Sequence, residues 1–384
     1  MFSLRGVAIR PFFLLLDNFT DMKYLILLFL LLAGTSKVAG QTLKTENLFI
    51  ITFDGLRWQE LFNGADSALI THKDYVRDGW DLKQLFWSDS PDERRRKLMP
   101  FFWGELAKHG QLYGNRKLGN YVDCSNNMWF SYPGYNEILC GFADDQRIKS
   151  NNKVNNPNVT LLEYLHNLPA YRGKVAAFCS WDVFPYIINR ERSQIPVNAG
   201  FESAIGSKLS EREKFLNELQ TQIPSPWGGV RLDGFTHHYA MEYVRQNKPK
   251  VVYISYGETD DFAHDGKYGA YLRSAHQTDK FIQAWWDYFQ QDAHYRGKTT
   301  ILVTTDHGRG TVPLDTWRSH GTEVAGAGQI WIAALGPDTP PRGEVKEPMQ
   351  LFQNQVAKTA AALLGLPYTN AKPVGDVIAP VLPK

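Results

Sequence analysis

Leu48-Phe49-Ile50-Ile51-Thr52-Phe53-Asp54-Gly55 is an apolar run of β-branched and aromatic residues that ends in Asp-Gly. The pattern returns twice. Val252-Tyr253-Ile254-Ser255-Tyr256 leads into Gly257-Glu258-Thr259-Asp260, and Ile301-Leu302-Val303-Thr304-Thr305 leads into Asp306-His307-Gly308. A strand that is apolar at consecutive rather than alternate positions is covered on both faces, as in a parallel sheet between two helical layers. Lys174–Phe178 and Gln329–Ala334 have the same character, and helical patterns separate these runs: Pro100–His109, the segment after Ser131, Glu211–Gln220, Phe235–Gln246, Ala270–Gln290 and Met349–Leu364. This alternation predicts an α/β fold, a doubly wound, mostly parallel sheet with helices on both faces. Stretches 63–98 and 180–230, rich in polar, aromatic, Pro and Gly residues, read as insertions above the carboxyl edge of the sheet.

In such a sheet ligands bind beyond the carboxyl ends of the strands, which is where Asp54, Asp260 and Asp306 fall. A single Asp-Gly after a strand is ordinary turn chemistry. The histidines change that reading: His307 adjoins Asp306, His264 lies one helical turn beyond Asp260, and His320 follows in Arg318-Ser319-His320-Gly321. Three carboxylates on one sheet edge repel one another unless cations neutralise them, so a metal centre is the economical explanation. Mixed nitrogen and oxygen ligands favour zinc, leave manganese or another transition ion open, and disfavour calcium and magnesium. The other histidines have no such carboxylate context.

Ser131-Tyr132-Pro133-Gly134-Tyr135-Asn136-Glu137 opens a short helical stretch. A Ser before an early Pro reads as an N-cap. The same position would also serve a nucleophile, because a helix N-terminus favours an incoming anion and a neighbouring metal lowers the hydroxyl pKa.

Taken in order, Phe53-Asp54-Gly55, Ser131-Tyr132-Pro133, Asp260 with His264, Asp306-His307-Gly308 and His320-Gly321 resemble the alkaline phosphatase superfamily, in particular its phosphodiesterase and nucleotide pyrophosphatase branch. The resemblance runs from Asn47 to about Leu366. It implies that Asp54, Ser131, Asp306 and His307 surround one divalent ion and Asp260, His264 and His320 hold another. It also implies attack by Ser131 on phosphorus and hydrolysis of the resulting phosphoserine. In that branch an Asn beyond the nucleophile donates to a nonbridging phosphate oxygen, and counting from Ser131 lands on Asn152, with Asn151 and Asn155 as neighbours.

Departures from the pattern bear on substrate. Ser stands where the diesterase branch usually has Thr, and Gly134 replaces a polar residue. A sulfatase would need Cys or Ser followed by x-Pro-x-Arg, but position 135 is Tyr. Ser180-Trp181-Asp182-Val183 stands where some monoesterases of the superfamily carry a Lys-x-Arg pair. The expected activity is therefore hydrolysis of small-molecule phosphoesters, diester or pyrophosphate bonds before monoesters, with a sulfatase or an inactive binding protein behind. Arg57, Trp58, Trp181, Phe184 and Tyr186 are candidates to bracket a leaving group, although packing of the loops is the simpler role for each. The run Arg94-Arg95-Arg96-Lys97 reads as a solvated helix face.

With 42 Lys+Arg against 40 Asp+Glu in 384 residues, the chain lacks both the basic excess of a nucleic-acid binder and the charge excess of a disordered protein. Cys124, Cys140 and Cys179 are too few for a disulfide scaffold or a zinc knuckle, and a Cys124–Cys140 pair and buried thiols are both open. Tyr24–Ala33 is apolar but shorter than the about 20 residues of a spanning helix. It lies between Met22-Lys23 and Val38-Ala39-Gly40, the layout of a secretory signal peptide. The reading is a start at Met22, an extension and leader over residues 1–40, and a single catalytic domain over 41–384 that is secreted or periplasmic, without a stable membrane span. N-terminal sequencing of the exported protein should give Gln41 first; Met1 or Met22 would contradict cleavage.

Overall fold

The computed structural model describes residues 42–77 and 79–383; the leader expected over residues 1–40 lies outside them. The described residues hold ten strands: β1 (Asn47–Phe53), β2 (Gln111–Tyr113), β3 (Asn120–Asp123), β4 (Val175–Cys179), β5 (Val197–Ala199), β6 (Val251–Tyr256), β7 (Thr299–Thr305), β8 (Ile332–Leu335), β9 (Gly343–Glu344) and β10 (Met349–Phe352). Eight form one sheet in the order β5-β4-β6-β1-β7-β8-β2-β9, while β10 and β3 make a small parallel pair. Within the large sheet only β8 runs against its neighbours, so the sheet is mostly parallel, as expected.

The helices that matter for the site are α1 (Trp58–Asn63), α2 (Ser131–Cys140), α3 (Leu161–Asn167), α4 (Asp233–Asn247), α5 (Glu258–His264), α6 (Tyr268–Gln291) and α7 (Gln355–Leu363). Strand periodicity sorts the core into two layers. Phe49, Ile51 and Phe53 of β1, with Ile254 of β6 and Val303 of β7, pack under α4 and α6. Leu48, Ile50, Tyr253 and Leu302 face α2, α3 and α7 instead. The central strands are buried along their whole length, which is why they read as unbroken apolar runs.

Register brings the carboxyl ends of β6, β1 and β7 level. Phe53 is paired with Tyr256 on one side and with Thr305 on the other, so the chain leaves three adjacent strands at one height. The aspartates of the sequence analysis follow those ends.

Three expectations need correction. Met349–Leu364 is not one helix: Met349–Phe352 pairs with β3, and the helix begins at Gln355. Leu351 packs into the same core as Val356 and Ala360, so strand and helix merge into one apolar pattern in sequence. The stretch 180–230 holds more than loops, because β5 within it extends the sheet beyond β4. In 63–98 the helices Gly79–Phe86 and Pro91–Leu98 are formed, and Arg95 of the basic run is buried, paired with Glu344 at 3.0 Å and stacked 3.6 Å from the Trp103 ring centroid.

Arg57 does not reach for substrate. Its guanidinium is fully buried, donates to Glu60 from Nε at 2.9 Å and to the Gly310 carbonyl from Nη1 at 3.2 Å, while Glu60 also accepts from Tyr268 Oη at 2.9 Å. The pair ties the segment after β1 to α6. Arg57→Met would strand the Glu60 carboxylate in the interior and should destabilise the chain by about 3–5 kcal/mol in urea unfolding with KM unchanged; raised KM at unchanged stability would restore a substrate role.

Candidate metal centre

Asp54, at the end of β1, has its Oδ2 held by the Tyr135 hydroxyl at 2.8 Å. Asp306, at the end of β7, has its Oδ1 held by the backbone N–H groups of Gly55 and His307, each at 3.0 Å. The remaining oxygens, Asp54 Oδ1 and Asp306 Oδ2, are buried and accept no hydrogen bond. Each lies 3.4 Å from His307 Nε2. His307 Nδ1 faces the Gly308 carbonyl at 2.9 Å, and a proton held there leaves Nε2 with its lone pair turned toward the two bare oxygens. A set of buried acceptors converging without donors is what a cation requires. One ligand atom from each of Asp54, Asp306 and His307 falls within 4.8 Å of the others.

Asp260, His264 and His320 form a second group at the same spacing. The α5 helix presents Asp260 and His264 one turn apart, with His264 Nε2 at 3.1 Å from Asp260 Oδ2 and 2.9 Å from His320 Nε2. His320 Nε2 is 3.6 Å from Asp260 Oδ1. This group is more open: the His264 side chain is 45% exposed, whereas those of Asp306 and His307 are fully buried. The Thr259 hydroxyl donates to the Asp54 carbonyl at 2.5 Å and links the two groups. Gly55 lies between them with φ +59°, and a Cβ there would stand 2.8 Å from Asp260 Oδ1 and 3.0 Å from His307 Cε1, so both the conformation and the space call for glycine.

Electrostatics reflect the crowding. Burial, with Asp54 alongside, pushes the Asp306 carboxyl well above its usual range. Burial opposes charge on His307, but Asp306 and Asp54 outweigh it and raise the imidazole to about 9, so without a cation Nε2 also takes a proton, which a metal ion binding there would displace. Burial and then His307 lower both His264 and His320. Arg309 also enters the centre. It is fully buried, donates to the Asp260 carboxylate and, from Nε, to the Gly55 carbonyl at 3.2 Å, and burial pulls it down to about 9.

Ser131 is the first residue of α2, and Phe130 is the N-cap, without a side-chain cap. The serine hydroxyl is therefore not spent on capping. It lies 3.4 Å from His307 Nε2 and is buried. The approach to it is strained: Trp129 has φ +48°, a conformation that costs a bulky residue on the order of 1–3 kcal/mol. Glu137, buried on α2, holds that approach by accepting from Ser125 N, Ser125 Oγ, Asn126 N and Asn126 Nδ2 at 2.7–2.8 Å. Asn126 Oδ1 in turn accepts from Met128 N and Trp129 N at 3.1 and 3.0 Å.

The structure thus brings together Ser131, Asp54, Asp306 and His307, and beside them Asp260, His264 and His320. Asn152 is exposed, and only its backbone makes hydrogen bonds, its N–H donating to Ser150 Oγ at 3.3 Å and its carbonyl accepting from Val154 N at 2.8 Å. Its neighbour Asn151 accepts from Tyr132 N at 3.0 Å and so touches the first turn of α2. Sequence reasoning passed over Arg309, Glu137 and Gln353, whose Nε2 donates to the Asp306 carbonyl at 2.6 Å. Arg309 had a signal in its place directly after Asp306-His307-Gly308.

Phe184 packs its ring 4.6 Å from that of Tyr135 and is fully buried, whereas Trp58, Trp181 and Tyr186 are half-buried. The three cysteines are buried and free. Gly134 explains itself: a Cβ there would meet the Asp306 carbonyl oxygen at 2.3 Å, so α2 can lie against the end of β7 only with glycine at this position. Gly134→Ala should lower stability by about 1–3 kcal/mol in chemical unfolding and cut turnover by on the order of 100-fold; an unchanged kcat would show that this spacing is not critical.

No protein-family model matches the chain, and no curated protein sequence matches it. Solved structures do. The lipoteichoic acid synthase LtaP from Listeria monocytogenes aligns over 84% of this chain and 73% of its own with a TM-score of 0.52 and 12% identity. The wild-type alkaline phosphatase PafA aligns over 90% of this chain and 100% of its own with a TM-score of 0.55 and 10% identity. A 2-O GAG sulfatase aligns over 88% and 74% with a TM-score of 0.50 and 12% identity. Likeness at this level of identity speaks to the fold, and the chain has the fold of the alkaline phosphatase superfamily.

Proposed function

We propose that this chain is an exported hydrolase of phosphoesters, with diester or pyrophosphate bonds preferred, that uses two divalent metal ions and Ser131 as nucleophile, within a single catalytic domain over residues 41–384. The observation that carries the reading is the pair of bare carboxylate oxygens on Asp54 and Asp306 facing His307 Nε2, with the Ser131 hydroxyl 3.4 Å from that nitrogen. Asp54, Ser131, Asp306 and His307 would hold one ion and Asp260, His264 and His320 the other. Their oxygen and nitrogen donors suit zinc. Bound there, the ions would lower the serine pKa and stabilise charge on the attacking and leaving oxygens.

The residues of the chain supply the rest. Ser131 Oγ attacks phosphorus, the bond to the leaving group breaks, and a phosphoserine forms that water then hydrolyses. The Gly308 carbonyl keeps the His307 proton on Nδ1. An Asn side chain would donate to a nonbridging oxygen; Asn152 fits the count from Ser131, but the bond from Tyr132 N supports Asn151 for that part. Such a donor is worth roughly 2.7–4 kcal/mol in comparable sites.

One observation favours a second reading, a phosphomonoesterase. Lys153 brings an ammonium to the Asn loop, where a dianionic substrate would want one. It is paired with Asp182 at 2.7 Å, and that partner neutralises it, so the diester reading stays first. Sulfatase chemistry lacks the Arg it would need at position 135, which is Tyr.

Chromogenic phosphodiester, phosphomonoester and sulfate ester, each tried with and without chelator, separate these readings. The expected result is diester hydrolysis that chelator abolishes. Ser131→Ala should remove turnover and leave most bound metal in elemental analysis, while Asp306→Asn and His320→Ala should each lower metal content. Equal diester hydrolysis by Ser131→Ala and the parent would rule out this nucleophile.

A further inference from the structure

The α5 helix carries Asp260 and His264 on only seven residues, too short to be stable by itself, and no side chain of its own caps it. Its orientation must be set from outside. Asp233, the first residue of α4 and only 3% exposed, does so from across the sheet edge. Its Oδ1 accepts from Gly257 N at 2.7 Å and from the Ser180 hydroxyl at 2.6 Å, and its Oδ2 accepts from Glu258 N at 3.1 Å. The exchange is mutual, because Glu258 Oε1 accepts from Asp233 N at 2.9 Å. Each carboxylate thus satisfies N–H groups at the start of the other's helix, where orphan donors otherwise remain. Ser180 fastens the end of β4 to the same carboxylate, and its hydroxyl also meets Thr236 Oγ1 of α4 at 2.7 Å.

We propose that Asp233 is a positioning residue: with Glu258 it forms a reciprocal clasp that aims Asp260 and His264, and so governs the cation held with His320 while leaving the other nearly untouched. The asymmetry follows from the topology. Asp54 leaves β1, and Asp306 and His307 leave β7, their side chains held by Tyr135, Gly55 and Gly308, none of which touches the clasp; Thr259 of α5 reaches only the main-chain carbonyl of Asp54. The choice of ions rests on the two-metal reading above.

Stripping the protein with chelator and titrating zinc back by calorimetry, with elemental analysis of the loaded protein, tests this. The parent should take up two ions. In Asp233→Asn the amide NH2 replaces an acceptor facing Glu258 N, and one ion should bind 10–100-fold more weakly, the usual cost of losing a partner that orients a ligand, with the other within about threefold of the parent. In Glu258→Gln the amide oxygen still accepts from Asp233 N, so both affinities should persist. In a His320→Ala background the remaining ion should be indifferent to Asp233→Asn. Equal weakening of both ions, or of neither, overturns the clasp alone. A parent that binds a single ion overturns the two-metal reading and this proposal with it. Should Asp233→Asn not fold, Ser180→Ala decides: it removes one donor from the same carboxylate, and the weakening must again fall on one ion.

Discussion

The arrangement at the ends of β6, β1 and β7 is governed by the repulsion among three carboxylates that the sheet delivers to one place. Desolvation makes that repulsion stronger than it would be at a surface, since charges interact more strongly as the effective dielectric falls. Arg309 offsets part of it by binding Asp260, but it leaves Asp54 Oδ1 and Asp306 Oδ2 bare. A fold with no use for a cation would have replaced one of these acids or given those oxygens donors, as it does for Glu137 and Asp279, whose buried carboxylates all meet N–H or O–H groups. Asp54 and Asp306 lack that provision, and their bare oxygens converge on His307, which is what favours a cation beside them.

Around that constraint the backbone does most of the positioning. Gly55 and Gly134 are places where a side chain would collide with the centre, and both allow an approach that only main-chain atoms can make. The Gly308 carbonyl orients His307, Gln353 grips the Asp306 carbonyl, and Thr259 grips that of Asp54. Partners of this sort fix ligands on rigid strand ends, where placement is more exact than on loops.

Much of this was legible in sequence because a strand buried on both faces leaves an unbroken apolar run, and a carboxylate straight after such a run has few places to go. Asp54, Asp260 and Asp306 were found that way, and their histidines by adjacency or by helical spacing. The method failed where periodicity gave nothing to count. β2, β5 and β9 are two or three residues long, too short for a pattern. Counting along the Asn loop gives Asn152, whereas the side chain that meets α2 belongs to Asn151, and a loop has no fixed rise by which the sequence could choose between them. Asp233 and Glu137 were invisible for another reason: in a helix sequence a buried acid looks like an exposed one, and only the donors gathered around it tell them apart.

The two ligand groups differ in a way that the fold explains. Asp306 and His307 lie just past the carboxyl end of β7 beneath α2, the helix that carries Ser131, while His264 stands at the far end of a helix of about two turns and is 45% exposed. An ion in the sealed group would face a large desolvation cost, returned only by close contact with charged ligands, and would exchange slowly. One at the open group would keep water and exchange readily. On the proposed reading the open group is also the side from which a leaving oxygen would depart. In the proposed serine-transfer reaction Ser131 has to be held and the leaving group released, and the burial gradient between the two groups runs in that direction.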